Sequence, residues 1–223
     1  LERTKAFEQG LFYMQDEASM LVAQALDPQK GQKILDVCAA PGGKATFLAQ
    51  LMADSGTVTA WDIHAHKMAL IEQNAKRLGL HHVTAQTHDA TELDKTLVGQ
   101  YDGVLVDAPC SGLGIIRRKP DIKWHKNLED LNTILAVQRK ILTTSAHYVK
   151  PGGVLVYSTC TIEKEENEGM IEKFLQTHIA FERCDISALF PNKSTAKEGF
   201  VTLYPHTDDT DGFFIAKMRR KVE

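Results

Sequence analysis

Apolar strand-like runs alternate with helix-like stretches along most of the 223 residues, and this alternation constrains the fold more than any other feature. Lys33–Cys38 (KILDVC) reads as a buried strand and Lys44–Met52 as a helix. Gly56–Asp62 is a second strand, and Ala65–Leu78 is a helix that Gly79 stops. His82–His88, Tyr101–Val106 and Val154–Ser158 continue the strands, while Leu128–Val149 and Glu163–His178 continue the helices. Lys150-Pro151-Gly152-Gly153 is read as the end of the longest helix. Strands alternating with helices predict an α/β fold, a doubly wound, mostly parallel sheet covered on both faces. Gly212–Met218 (GFFIAKM) is a candidate final strand, and Gln15–Leu26 is a helix with no strand of its own in front.

Sheets of this kind bind ligands at the carboxyl ends of their strands, and the chemically useful residues fall there. Cys38–Lys44 follows the first strand, Asp62 ends the second and Asp89 follows the third. Asp107-Ala108-Pro109-Cys110 follows the fourth and Thr159-Cys160-Thr161 the fifth. In the turn Cys38-Ala39-Ala40-Pro41-Gly42-Gly43-Lys44, small residues and two glycines let the backbone approach a ligand closely. The helix behind it offers N-terminal N–H groups. An acidic residue ~20 positions past such glycines, here Asp62, can accept hydrogen bonds from ribose hydroxyls. This is a nucleoside-binding layout, although a tight βα turn alone would look similar. The dinucleotide fingerprint G-x-G-x-x-G is missing, which disfavours a NAD-dependent dehydrogenase. The P-loop pattern fails too, because Ala45 stands where it needs Ser or Thr.

Four scattered cysteines (38, 110, 160 and 184) are too few for a disulfide scaffold. A lone cysteine is usually a small buried hydrophobe, a reading that fits Cys184 and leaves Cys38 lining its turn. It fits Cys110 and Cys160 poorly, since polar or turn residues flank both at the ligand edge. If their strands are neighbours, both sulfurs face one cleft. Zinc is disfavoured because no CxxC occurs, so no metal is expected. A redox dithiol is a further alternative. The paired histidines His64/His66 and His81/His82 read as solvated surface.

Together Asp36–Lys44 (DVCAAPGGK), the Asp107–Gly112 loop (DAPCSG), Ser158–Thr161 (STCT) and Arg117–Trp124 (RRKPDIKW) resemble the Nop2/Sun/Fmu family of RNA cytosine-5 methyltransferases. The resemblance runs from about Gln15 to Met218, and the last motif is most similar to the bacterial Fmu branch, which acts on small-subunit ribosomal RNA. It implies a Rossmann-like, S-adenosylmethionine-dependent fold with a final antiparallel strand, comprising residues 27–223, with residues 1–26 as an extension whose helix packs on it. It implies that Cys160 is the nucleophile, that Cys110 assists release of the methylated base, and that Asp107 stabilises charge in the ring. Cys38, Ala39, Ala40, Pro41, Gly42, Gly43 and Lys44 would wrap the cofactor. Asp62 would take its ribose, Asp89 its adenine amino group, and Asp107 would lie near its methionine end. An unperturbed thiol is only a few per cent ionised at pH 7. Lys44 is the candidate cation that would help. A methyltransferase acting on an exocyclic nitrogen is disfavoured, because Asp107-Ala108-Pro109-Cys110 puts a thiol where those enzymes carry a Pro-aromatic pair.

A target cytosine must be single-stranded or flipped out for its carbon 6 to be reached. Arg117, Arg118, Lys119, Lys123 and Lys126 could hold phosphates and Trp124 could stack a base, against the simpler reading of a solvated basic loop. Lys217, Arg219, Arg220 and Lys221 form a second basic cluster, read as a solubilising tail. The run Glu163-Lys164-Glu165-Glu166 is read as capping and solvating a helix start. A net charge of −3 is unusual for a stand-alone RNA enzyme. Fmu-type proteins carry RNA-binding modules upstream, including a NusB-like helical domain, and Leu1 as first residue fits a catalytic piece of such a protein. Weak RNA affinity is therefore expected of this chain by itself. No apolar run approaches the ~18 residues needed to span a bilayer. With no secretory leader at the start, a reducing cytoplasm is the expected compartment and a monomer the default state. The competing reading from another class is a non-catalytic ribosome-assembly factor, which would be marked by loss of a loop cysteine; both cysteines are present.

Overall fold

The computed structural model describes residues 1–124 and 128–222, with the side chains of Lys123, Leu128 and Glu129 outside the described residues. In chain order the elements are α1 (Lys5–Glu8), α2 (Glu17–Leu26), β1 (Lys33–Asp36), α3 (Gly43–Leu51), β2 (Thr57–Asp62), α4 (Met68–Arg77), β3 (Val83–Thr87) and β4 (Tyr101–Asp107). They continue with α5 (Leu128–Ala146), β5 (Val149–Thr159), α6 (Glu168–Thr177), β6 (Phe181–Arg183), β7 (Phe200–Leu203), α7 (Pro205–Asp208) and β8 (Phe213–Arg220). One sheet runs β3-β2-β1-β4-β5-β8-β6, with β7 also on β8. The pairs among β1 to β5 are parallel, and β8 lies antiparallel to β5, β6 and β7. This is the expected α/β architecture with its antiparallel final strand.

Burial explains why the central strands were easy to read. Ile34, Leu35, Val104, Leu105, Val106, Leu155 and Val156 are wholly buried, because helices cover the parallel strands on both faces. Ala18, Val22 and Leu26 of α2 join Leu48 of α3 and Ile34 of β1 in one cluster. Leu142 of α5 and Phe174 of α6 join Val104 of β4 in the other. Pairing begins earlier in β5 than the sequence predicts. Pro151-Gly152-Gly153 lies inside the strand, and the register between β4 and β5 shifts there. The Pro-Gly-Gly stretch is thus an irregularity in a long strand as well as the sequel to α5. Gly79 adopts a positive φ of 69°, as a helix stop requires.

Residues ahead of α2 lie against α4. The Arg77 guanidinium donates to the carbonyls of Phe7 and Phe12, both at 2.9 Å. It also stacks 3.7 Å over the Phe7 ring.

Candidate active site

Strand β1 ends at Asp36, and the chain turns through Cys38–Gly42 into α3. Gly42 caps that helix at φ 106°, a left-handed conformation that favours glycine. A Cβ on Gly43 would sit 2.9 Å from the Tyr13 ring, so the glycine pair lets the turn pack tightly. Asp36 is fully buried beneath it. One of its oxygens accepts from the Cys38 N–H at 3.3 Å, and the other has no hydrogen-bond partner among the described residues. Burial, reinforced by the nearby charge of Asp107, pushes its pKa up to about 7.

A cavity of about 690 Å³ opens along the strand ends. Of the residues expected to hold a cofactor, Cys38, Ala40, Asp62, Asp89 and Asp107 line it. Ala39, Pro41, Gly42, Gly43 and Lys44 belong to the same turn and helix start without lining it. Asp62 accepts from the His64 N–H at 3.0 Å, with Lys67 at 3.8 Å. Asp89 accepts from the Thr91 N–H at 2.8 Å, which holds its pKa below the usual carboxylate range. Sequence reasoning missed the opposite wall, where Ala136, Val137, Lys140 and Ile141 of α5 line the cavity. Their spacing marks one helical face, a signal present in the sequence but not assigned to the site.

Strands β4 and β5 are neighbours, with Asp107 beside Ser158 in register. The two loops that leave them therefore meet. The Cys110 and Cys160 sulfurs are 3.3 Å apart, and both thiols are free. Lys44 Nζ lies 2.7 Å from Asp107 and 3.2 Å from the Ser19 hydroxyl of α2, above the Phe213 ring. The other Asp107 oxygen accepts from Ser158 at 2.8 Å. Burial acts to lower the Lys44 pKa, but Asp107 outweighs it and holds the ammonium above its ordinary value. The Cys110 hydrogen bond draws the Cys160 pKa down against the opposing effect of burial. The same bond, with burial, pushes Cys110 well up. Both directions favour ionisation of Cys160 over Cys110, an arrangement in which the Cys110 thiol would donate. The sequence pointed to Lys44 as the aid to ionisation; in the structure Cys110 comes first and Lys44 contributes less.

The expected RNA-facing residues divide. Arg117 and Arg118 both pair with the buried carboxylate of Asp211, at 2.6 and 2.7 Å, and Arg118 also pairs with Asp16. Lys119 and Trp124 are exposed, Trp124 by 74%. The Lys123 side chain and all of Lys126 lie outside the described residues. Two surface readings need correction. Lys217, Arg219 and Arg220 belong to β8 rather than to a tail, and Arg220 donates to the Val149 carbonyl at 2.8 Å. Glu166 is not solvated: it is fully buried, 2.9 Å from the Ser111 N–H. Among the described residues no cluster of His, Cys, Asp and Glu could hold a metal ion. Among them, too, no helix is long and apolar enough to cross a membrane.

The doubly wound sheet with an acid-lined cavity at its strand ends is the Rossmann-like fold of the S-adenosylmethionine-dependent methyltransferase class. Residues 23–219 match the family described as 16S rRNA methyltransferase RsmB/F, and the chain belongs to that family. It is 46% identical over 222 residues to a probable ribosomal RNA small subunit methyltransferase B of Bacillus subtilis, covering 98% of this chain and 50% of the relative. It is 38% identical to ribosomal RNA small subunit methyltransferase F of Escherichia coli, covering 95% of this chain and 45% of that one. The chain spans about half the length of these relatives. Among solved structures, NSun6 from Pyrococcus horikoshii with SFG superposes with a TM-score of 0.89 at 35% identity, over 100% of this chain and 56% of that one. A methyltransferase homolog from the same organism gives a TM-score of 0.84 at 33% identity, over 99% and 72%.

Proposed function

We propose that this chain methylates carbon 5 of a cytosine in RNA, a small-subunit ribosomal RNA, using S-adenosylmethionine and a transient bond between Cys160 and carbon 6. The observation that carries the reading is the pair of free thiols 3.3 Å apart, next to the Asp107–Lys44 pair. Family membership supports the ribosomal substrate, and with it a cytoplasmic location. The NSun6 structure with SFG, an S-adenosylmethionine analogue, supports the cofactor. The cavity fits that cofactor: Asp62 and Asp89 can accept from hydroxyl and amino groups, and Asp107 suits the neighbourhood of a sulfonium. Residues 27–223 form the methyltransferase domain in this reading, and residues 1–26 an extension on it.

When bound, the cofactor supplies an electrophilic methyl group and leaves as a thioether. Cys160 does what cytosine cannot do for itself. Its thiolate forms the S–C6 bond, and the C5=C6 electrons move to carbon 5, which takes the methyl group. Asp107, held by Lys44 and Ser158, sits at the cavity edge where it can accept a hydrogen bond from the cytosine amino group and orient the ring for attack. In release, water or hydroxide from solvent takes the C5 proton; the C5–H electrons restore C5=C6, and the C6–S bond breaks back to the Cys160 thiolate. Cys110 donates a hydrogen bond to that departing thiolate. Arg117, Arg118, Lys119, Lys123 and Trp124 form the RNA-facing loop.

The test is transfer of labelled methyl from S-adenosylmethionine to small-subunit ribosomal RNA, followed by nucleoside digestion. The label is expected in 5-methylcytosine, and Cys160→Ala is expected to lose at least about 10³-fold in rate, as removal of a nucleophile does. Label in an exocyclic-methylated base, or unimpaired transfer by Cys160→Ala, would overturn the reading.

A further inference from the structure

Two consecutive residues in front of α6, Glu166 and Asn167, reach both thiol loops. Both are fully buried, so neither can touch RNA or cofactor from solvent. Glu166 Oε2 accepts from the Ser111 N–H at 2.9 Å and from Gln138 Nε2 at 2.8 Å. The same Gln138 Nε2 donates to the Pro109 carbonyl at 3.0 Å. Both flanks of Cys110 are therefore tied to one carboxyl group and one amide. Since the Pro109 carbonyl can only accept, it is the NH₂ of Gln138 that faces this loop. Asn167 ties the other loop: its Nδ2 donates to the Thr161 carbonyl at 3.0 Å, and its Oδ1 accepts from the Thr159 hydroxyl at 2.6 Å. Those two residues flank Cys160. Ser111 and Thr161 join the loops directly through their hydroxyls at 2.7 Å. Behind the pair, the Glu166 carbonyl accepts from Tyr157 of β5 at 2.8 Å, which anchors it to the sheet.

We propose that Glu166 and Asn167, with Gln138, are positioning residues that fix the two loops at the separation where the Cys110 thiol meets the Cys160 sulfur. This rests on the thiol chemistry proposed above for its catalytic meaning, but the geometric claim concerns the two sulfurs alone. Here the useful contact is a sulfur–sulfur hydrogen bond, and a displacement of about 1 Å can cost about 10²-fold in rate. Both oxygens of Glu166 are committed to the interior, and Oε1 has no hydrogen-bond partner among the described residues. Such a burial is costly for a residue that only fills space.

The experiment measures closure of the Cys110–Cys160 disulfide without RNA or cofactor. The reduced full chain is treated with diamide, which takes two electrons from the thiol pair and becomes the hydrazine; closure is followed by peptide mass spectrometry. Glu166→Ala is expected to close about 10-fold more slowly than wild type or more. Glu166→Gln, which keeps an acceptor for Ser111 and Gln138, is expected to restore most of the rate. Thermal melting reports whether each variant folds. If Glu166→Ala does not fold, Gln138→Met carries the test, since it removes the ties to Pro109 and Glu166 while keeping the volume; the same slowing is expected. Folded variants that close at the wild-type rate would overturn the proposal. A wild-type chain that fails to methylate cytosine, while the variants still close slowly, would sink the catalytic reading and leave the positioning one standing.

Discussion

The hydrogen bond between two sulfurs divides the labour between otherwise similar side chains. It draws the Cys160 pKa down and pushes that of Cys110 up. The pH dependence follows from the sign. Alkylation of Cys160 by iodoacetamide, followed at the peptide level, is expected to rise at a lower pH than for an ordinary thiol. Cys110→Ala removes the donor and should move the profile to higher pH. Lys44→Met should move it in the same direction but less far, since the ammonium acts mainly on Asp107. A larger shift for Lys44→Met would restore the cation to first place. Residue-level reading of the sequence singled out both thiols, Asp107 and Lys44, because they cluster at or just past the carboxyl ends of strands, and it took their roles from the family resemblance. It could not rank the partners, since ranking needs the 3.3 Å and 2.7 Å separations that only folding creates.

At the scale of elements, β1, β2, β4 and β5 were legible as apolar runs because they are largely buried, while the edge strand β3 is half-exposed and gave a weaker signal. The strands β6 and β7 were not legible. They have three and four residues, and their burial alternates or fades, leaving no run to read. Glu166 was misread for a related reason: it follows three charged residues that do face solvent or its edge, while its partners Ser111 and Gln138 are 55 and 28 positions away. The N-terminal segment shows the same dependence on distant contacts, since Arg77 holds the carbonyls of Phe7 and Phe12 from α4. Arg77→Met is expected to free that segment, at a cost of about 1–3 kcal/mol for the unmade bonds. Hydrogen exchange should rise sharply in residues 1–14 and stay unchanged in β4 and β5. Unchanged exchange at the N-terminus would show that the clamp carries no weight.

For the whole molecule, charge and pairing act together on RNA. The net charge is −3, and the two arginines best placed to meet phosphate are already matched by Asp211 and Asp16. Phosphates would have to compete with those carboxylates. The chain alone is expected to bind a short single-stranded RNA with a Kd of about 10⁻⁴–10⁻⁶ M at physiological salt, weakening further as salt rises. Nanomolar, salt-insensitive binding would contradict this. The central claim is that the Cys160 sulfur bonds to a cytosine ring, and trapping tests it most directly. The chain is incubated with 5-fluorocytosine RNA and labelled S-adenosylmethionine, where fluorine replaces the proton that release must remove. The expected result is a denaturation-resistant adduct that carries the label and maps to the Cys160 peptide, absent in Cys160→Ala. An adduct that maps to Cys110 and persists in Cys160→Ala, or a chain that methylates ordinary RNA yet forms no adduct with the 5-fluorocytosine RNA, would contradict it.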